Sequence, residues 1–138
     1  MTSKPLLAGA ALLAGVYAVA LAQSNAQVER GKYLVESLAV CQDCHTPRLE
    51  NGEFDMAKWL NGAEVRYAPF KEIPKWHKTA PDLSASGRLF KVWGPEGLAN
   101  FLQTGKNPKG GPAGPPMPLY KMSREDALAV VEYLKTVP

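Results

Sequence analysis

Cys41-Gln42-Asp43-Cys44-His45 constrains this chain more than any other stretch. It reads Cys-x-x-Cys-His, the attachment sequence for a covalently bound c-type haem. Each thiol can add to one vinyl group of the porphyrin, and two intervening residues in a helical turn bring both sulfurs to the same edge of the ring. His45 can then aim an imidazole nitrogen at the iron from the proximal side. At average residue usage a chain of this size carries the pattern by chance roughly once in a thousand. A buried haem is a large apolar plate, so a domain of about 110 residues needs little further secondary structure around it.

The first 22 of the 138 residues read as a secretory signal. Lys4 and the amino terminus supply a thin positive region, and Leu6 to Leu21 is almost wholly apolar. Ala20-Leu21-Ala22 fits the small-x-small cleavage pattern, with Ser24-Asn25-Ala26 as a second candidate. The alternative is retention as a membrane anchor, for which the apolar run is at the short end. Cleavage after Ala22 leaves a domain of 116 residues, exported to the periplasm. A formal net charge of +3 is too mild to argue for nucleic acid. Both cysteines lie in the one motif. A two-residue gap suits a redox-active or ligating pair better than a structural staple, and the following histidine turns the reading to haem.

Hydrophobic spacing predicts a helix from Val28 to about Val40, with Gly31, Leu34, Val35 and Leu38 on one face. Glycine there costs roughly 1 kcal/mol relative to alanine, so Gly31 predicts the close approach of another helix. Residues 46 to 93 are rich in turn signals, with a short helical turn from Met56 to Leu60. Trp59, Trp76 and Trp93 are read as packing residues; the sharper alternative is that one donates its indole N–H to a haem propionate. Gly94 to Thr104 is predicted helical, with Pro95 in the first turn and Gly105 at the stop. Ser123 to Val137 is predicted helical, capped by Ser123 and carrying Ala127, Val130, Val131, Leu134 and Val137 inward. Tyr133 is the candidate to pack over Gly31. The expected fold is therefore all-α, three to four helices and long loops around one haem.

Between the last two helices runs a Gly- and Pro-rich strap in which Pro115, Pro116 and Pro118 stiffen the backbone around Met117. Such a strap can carry one side chain across the face of a flat cofactor, and a thioether is a soft ligand suited to haem iron. Met117 is accordingly the candidate distal ligand opposite His45. Met122 precedes the Ser123 cap, where a hydrophobic staple residue belongs. Met56 lies among the early loops. His77 is the remaining contender, in a segment with the look of a solvated one.

With these pieces placed, the chain resembles the class I monohaem cytochromes c. Gly31-Lys-Tyr-Leu-Val, Cys44-His-Thr-Pro47, Leu60-Asn-Gly-Ala63, Ala80-Pro-Asp-Leu83, Phe101-Leu-Gln-Thr-Gly105 and Pro115-Pro-Met-Pro118 are similar to the cytochrome c subunits and domains that accept electrons from bacterial alcohol and aldehyde dehydrogenases. The resemblance covers roughly residues 28 to 138. It implies a single-electron carrier with one heme c on Cys41 and Cys44, iron ligands His45 and Met117, and no catalytic residues. It also implies redox protein partners: a dehydrogenase, an oxidase or a membrane electron-transfer complex. In that family a proline carbonyl receives the second ring nitrogen of the proximal histidine. Pro47 is too local to be singled out, and sequence does not name the partner. Those subunits often carry several haems, whereas one motif stands here.

Three other classes compete. A haem sensor or weak peroxidase needs a labile distal ligand. A structural zinc site would consume every Cys and His in the chain, with poor spacing at Cys44-His45. A thioredoxin-like dithiol needs a βαβ context that the helical punctuation does not supply. Lys106 and Lys109 flank the strap and are read as solvated, the alternative being a weak cationic rim that steers an acidic partner.

Overall fold

The structure, a computed structural model, describes residues 23–138. The expected signal segment, residues 1–22, lies outside the described residues. Helix α1 (23–33) runs into a π-turn at Leu34–Leu38. The motif forms its own short helix α2 (Gln42–His45), followed by a 3-10 turn (Met56–Lys58). A two-stranded antiparallel ladder, β1 (Ala63–Glu64) and β2 (Thr79–Ala80), pairs Ala63 with Ala80. Helices α3 (Arg88–Thr104) and α4 (Arg124–Leu134) complete the described elements and pack on each other.

Local chemistry accounts for the helix ends. Ser123 accepts the Asp126 amide through its hydroxyl at 3.1 Å, and Glu125 and Asp126 sit in the first turn, where the helix dipole favours negative charge. Gly105 closes α3 in the left-handed conformation at φ 71°, its amide bonded to the Phe101 carbonyl at 2.7 Å. Helix α3 begins earlier than expected, at Arg88. It breaks at Gly94 (φ 65°, ψ 172°), and Pro95 restarts it in the next turn. The residues expected to start a helix therefore make a kink within a longer one.

The core is built from Leu34, Val35, Phe90, Leu98 and the inward stripe of α4. Ala127, Val130, Val131, Leu134 and Val137 are all buried, as their spacing predicts. Leu38 is not: it is 64% exposed. The π-turn inserts an extra residue into the last turn of the first helix, which rotates position i+7 off the stripe that Gly31 and Leu34 begin. Gly31 meets its expected neighbour. A Cβ there would lie 2.6 Å from the Ala129 carbonyl carbon and 2.8 Å from Tyr133 Cβ.

Tyr133 also ties three segments together. Its hydroxyl donates to Glu36 Oε1 and receives the Trp59 indole N–H at 3.1 Å. Trp59 is thus spent on packing and on this bond. Burial first, then the Glu36 contact, pushes the Tyr133 hydroxyl up to about 12. A raised folded pKa keeps the phenol protonated while the unfolded chain ionises near 10, so its contribution is full below about pH 10 and is lost as pH rises towards 12. Tyr133→Phe is expected to remove this tyrosine's share of alkaline destabilisation, seen as a shallower fall in denaturation midpoint between about pH 10 and 12.

Candidate cofactor cleft

The motif helix is placed by a tight turn at its start. Val40 takes φ 45°, a strained conformation for a β-branched residue, and its carbonyl accepts the Asp43 amide at 3.0 Å. The Cys41 amide returns to the Val35 carbonyl at 2.9 Å, and the His45 amide to the Cys41 carbonyl at 2.9 Å. Both thiols and the imidazole consequently leave one short helix towards one cleft.

That cleft has a volume of about 570 Å³, within the range of about 300–1,000 Å³ usual for bound cofactors and ligands. Cys41, Cys44, His45 and Met117 all line it, between apolar walls that include Leu98, Phe101 and Leu134. His45 is 4% exposed. Burial holds its imidazolium below the usual histidine range, against a smaller opposing effect of the Pro81 carbonyl. Its Nδ1 lies 2.8 Å from that carbonyl oxygen. A carbonyl only accepts, so Nδ1 carries the proton and Nε2 keeps a free lone pair. Both cysteines are free thiols, and burial pushes Cys41 up to about 11. A site that favours the neutral sulfur also suits a neutral thioether. The donor set and the apolar walls fit a covalent c-type haem.

Sequence reasoning left the histidine's second partner unnamed. Pro81 supplies it, 36 positions away, and the clamp that holds it involves Gly62. The Gly62 amide donates to the His45 carbonyl at 2.8 Å while its α-carbon faces the Ala80–Asp82 backbone. A Cβ at Gly62 would meet the Asp82 amide nitrogen at 2.9 Å and the Pro81 carbonyl carbon at 3.1 Å, and φ 86° itself calls for glycine.

The other candidates separate. Met122 packs against the core away from the cleft, its amide on the Leu102 carbonyl at 3.1 Å, and Met56 is exposed. His77 does line the cleft although it is exposed. Its amide donates to the Pro115 carbonyl at 2.7 Å, and its ring lies so close over Gly114 that a Cβ there would collide with Nε2. Trp93 lines the cleft and tilts against Phe101 with ring centroids 5.2 Å apart. Tyr120, which reasoning from sequence passed over, reaches from the strap to donate to the Ala39 carbonyl at 3.0 Å. It ties the strap to the turn before the motif.

Residues 28–138 match the cytochrome c family. A nicotinate dehydrogenase subunit of Pseudomonas putida is 34% identical over 121 residues, covering 83% of this chain and 9% of that protein. A diheme cytochrome c-type protein of Cereibacter sphaeroides is 34% identical over 116 residues, 80% of this chain and 35% of the relative. The fructose dehydrogenase cytochrome subunit of Gluconobacter japonicus is 32% identical over 120 residues, 83% of this chain and 23% of the relative. The chain therefore spans about a third or less of each of these relatives.

Proposed function

The chain belongs to the cytochrome c family, and from that premise we propose a single-electron carrier with one covalent haem held between His45 and Met117. It is an electron-transfer protein with a c-type haem and not itself an enzyme. The finer reading rests on one observation: both thiols, the His45 lone pair and the Met117 side chain line the same apolar cleft.

The haem, when bound, supplies a one-electron iron couple. Everything else falls to the chain. Cys41 and Cys44 would hold the ring edge covalently through their sulfurs. His45 would hold the iron through Nε2, and its proton stays on Nδ1, donated in a hydrogen bond to the Pro81 carbonyl that holds tautomer and ring orientation. Met117 on the strap would supply the second iron ligand, with Tyr120 and His77 pinning the strap at both margins. Leu98, Phe101 and Leu134 exclude water. His77 is the weaker choice as ligand because its Nε2 abuts the strap backbone.

The test is the visible spectrum of oxidised and reduced protein, with its far-red region. A low-spin spectrum with the Met-to-iron band, lost in Met117→Ala and kept in Met122→Ala, is the expected result. The reverse pattern refutes the assignment. A low-spin spectrum without the band points to His77, and a high-spin one to an open iron and a sensor or peroxidase. The reading extends to an exported, periplasmic protein with residues 1–22 as its leader; among the described residues no helix is long and apolar enough to cross a membrane. The upstream partner in this reading is a dehydrogenase, since two relatives are named as dehydrogenase subunits. An oxidase or a membrane electron-transfer complex would receive the electron.

A further inference from the structure

The segment from β1 to β2, residues 64–79, is left largely unused by the cofactor cleft. Phe70 is fully exposed at 101%, and Tyr67 and Ile73 are 54% and 41% exposed. Three large apolar side chains in water on one loop are a feature that interaction sites share. Arg66, Lys71, Lys75 and Lys78 are interleaved with them, against only Glu64 and Glu72. None of these four cations is ion-paired among the described residues. The segment encloses a concavity of about 740 Å³ that shares Val65, Tyr67 and Thr79 with the wall of the cofactor cleft. Tyr67 stands at the boundary. Its hydroxyl oxygen is 3.9 Å from Cys44 Sγ, and its ring meets Trp76 edge-on with centroids 5.7 Å apart.

We propose that segment 64–79 is the docking surface for the acidic face of a protein redox partner. Charge, shape and position each select that occupant. Four interleaved cations are complemented by carboxylates, which steer encounter and set register. A concavity receives a protruding element of a protein, whereas a lipid surface is flat on this scale. The shared wall puts whatever docks there next to the thiol that anchors the cofactor, which is where an electron-transfer partner gains by sitting. Neither Tyr67 nor Trp76 changes oxidation state; one electron passes between partner and carrier, one being oxidised as the other is reduced. The inference rests on the electron-carrier reading.

The probe is plastocyanin, an acidic one-electron copper protein. Its redox-inert cadmium form is titrated into 15N-labelled reduced full-chain protein, and its cupric form measures the electron-transfer rate at low ionic strength. Amide shifts should cluster from Arg66 to Lys78. Lys71→Glu, Lys75→Glu and Lys78→Glu together should abolish those shifts and slow the rate by at least about tenfold, with the c-type absorbance retained. Lys106→Glu with Lys109→Glu should cost far less. Shifts centred on Lys106 and Lys109, or a rate that ignores the triple variant, would overturn the proposal. So would a lipid answer: no shifts with plastocyanin, but charge-dependent co-sedimentation with phosphatidylglycerol vesicles. Absent c-type absorbance in the wild type would instead sink the carrier reading.

Discussion

Gly31→Ala is expected to lower the thermal midpoint by about 15 °C, a loss of about 3 kcal/mol in a domain of this size. The sign is what makes the experiment informative. In an ordinary helix interior, exchanging glycine for alanine stabilises by roughly 1 kcal/mol. Here the added methyl falls between the Ala129 carbonyl carbon at 2.6 Å and Tyr133 Cβ at 2.8 Å. One obstacle is backbone, and the other lies at the root of a side chain, so rotamer changes relieve neither. Helix α4 must retreat from α1. Its retreat would also stretch the Trp59–Tyr133–Glu36 bonds, which run through the same tyrosine. The surface ion pair between Arg30 and Asp126 spans the same crossing at 2.9 Å, but both partners are solvated and it contributes little. A melting curve followed by circular dichroism decides the matter. A midpoint equal to or above that of the parent protein would mean that the two helices do not cross at Gly31.

That crossing was readable because every element in it is local or periodic. A glycine on an otherwise apolar stripe asks for a close neighbour, and the α4 stripe from Ala127 to Val137 offers one. Caps were readable for the same reason: Ser123 and Gly105 act within four residues of themselves. The strap was readable because prolines fix their own dihedrals, which left Met117 as the side chain held in place. The features that escaped depend on distant partners or on irregular backbone. No periodicity announces the π-turn that turns Leu38 out to solvent, because the register changes within five residues. The 88–93 turn of α3 was hidden behind Gly94-Pro95, a pair that reads as a start and acts as a kink. The Trp59–Tyr133 bond spans 74 positions and the Tyr133–Glu36 bond 97, and such pairings follow from how helices dock, not from any spacing. The attachment motif brings both thiols and the imidazole to one cleft, but the carbonyl that orients His45 lies 36 positions away, and no spacing pairs the two.

Gly62→Ala is expected to raise the reduction potential by about 30–60 mV, where 59 mV corresponds to a tenfold change for one electron. The chain of cause runs through His45. Its Nδ1–H gives a hydrogen bond to the Pro81 carbonyl at 2.8 Å, which in the proposed carrier would make Nε2 a stronger donor to the iron and favour its more positive, oxidised state. Pro81 is held at that distance because Gly62 lies flat between two backbones: it donates to the His45 carbonyl at 2.8 Å and leaves no side chain against Pro81 and Asp82. A methyl group at 2.9–3.1 Å from three atoms of that segment pushes the carbonyl away and weakens the bond. The oxidised state then loses more stabilisation than the reduced state, so the potential rises. Stability will fall as well, since φ 86° penalises alanine whatever its surroundings. Gly52 separates the two effects. It has φ 88° with nothing within 4 Å of where a Cβ would stand, so Gly52→Ala carries the same backbone penalty without the collision. A larger stability loss in Gly62→Ala, with a potential shift in that variant alone, would establish the clamp. Stability losses with no potential shift in either variant would show that Gly62 serves the fold and not the iron.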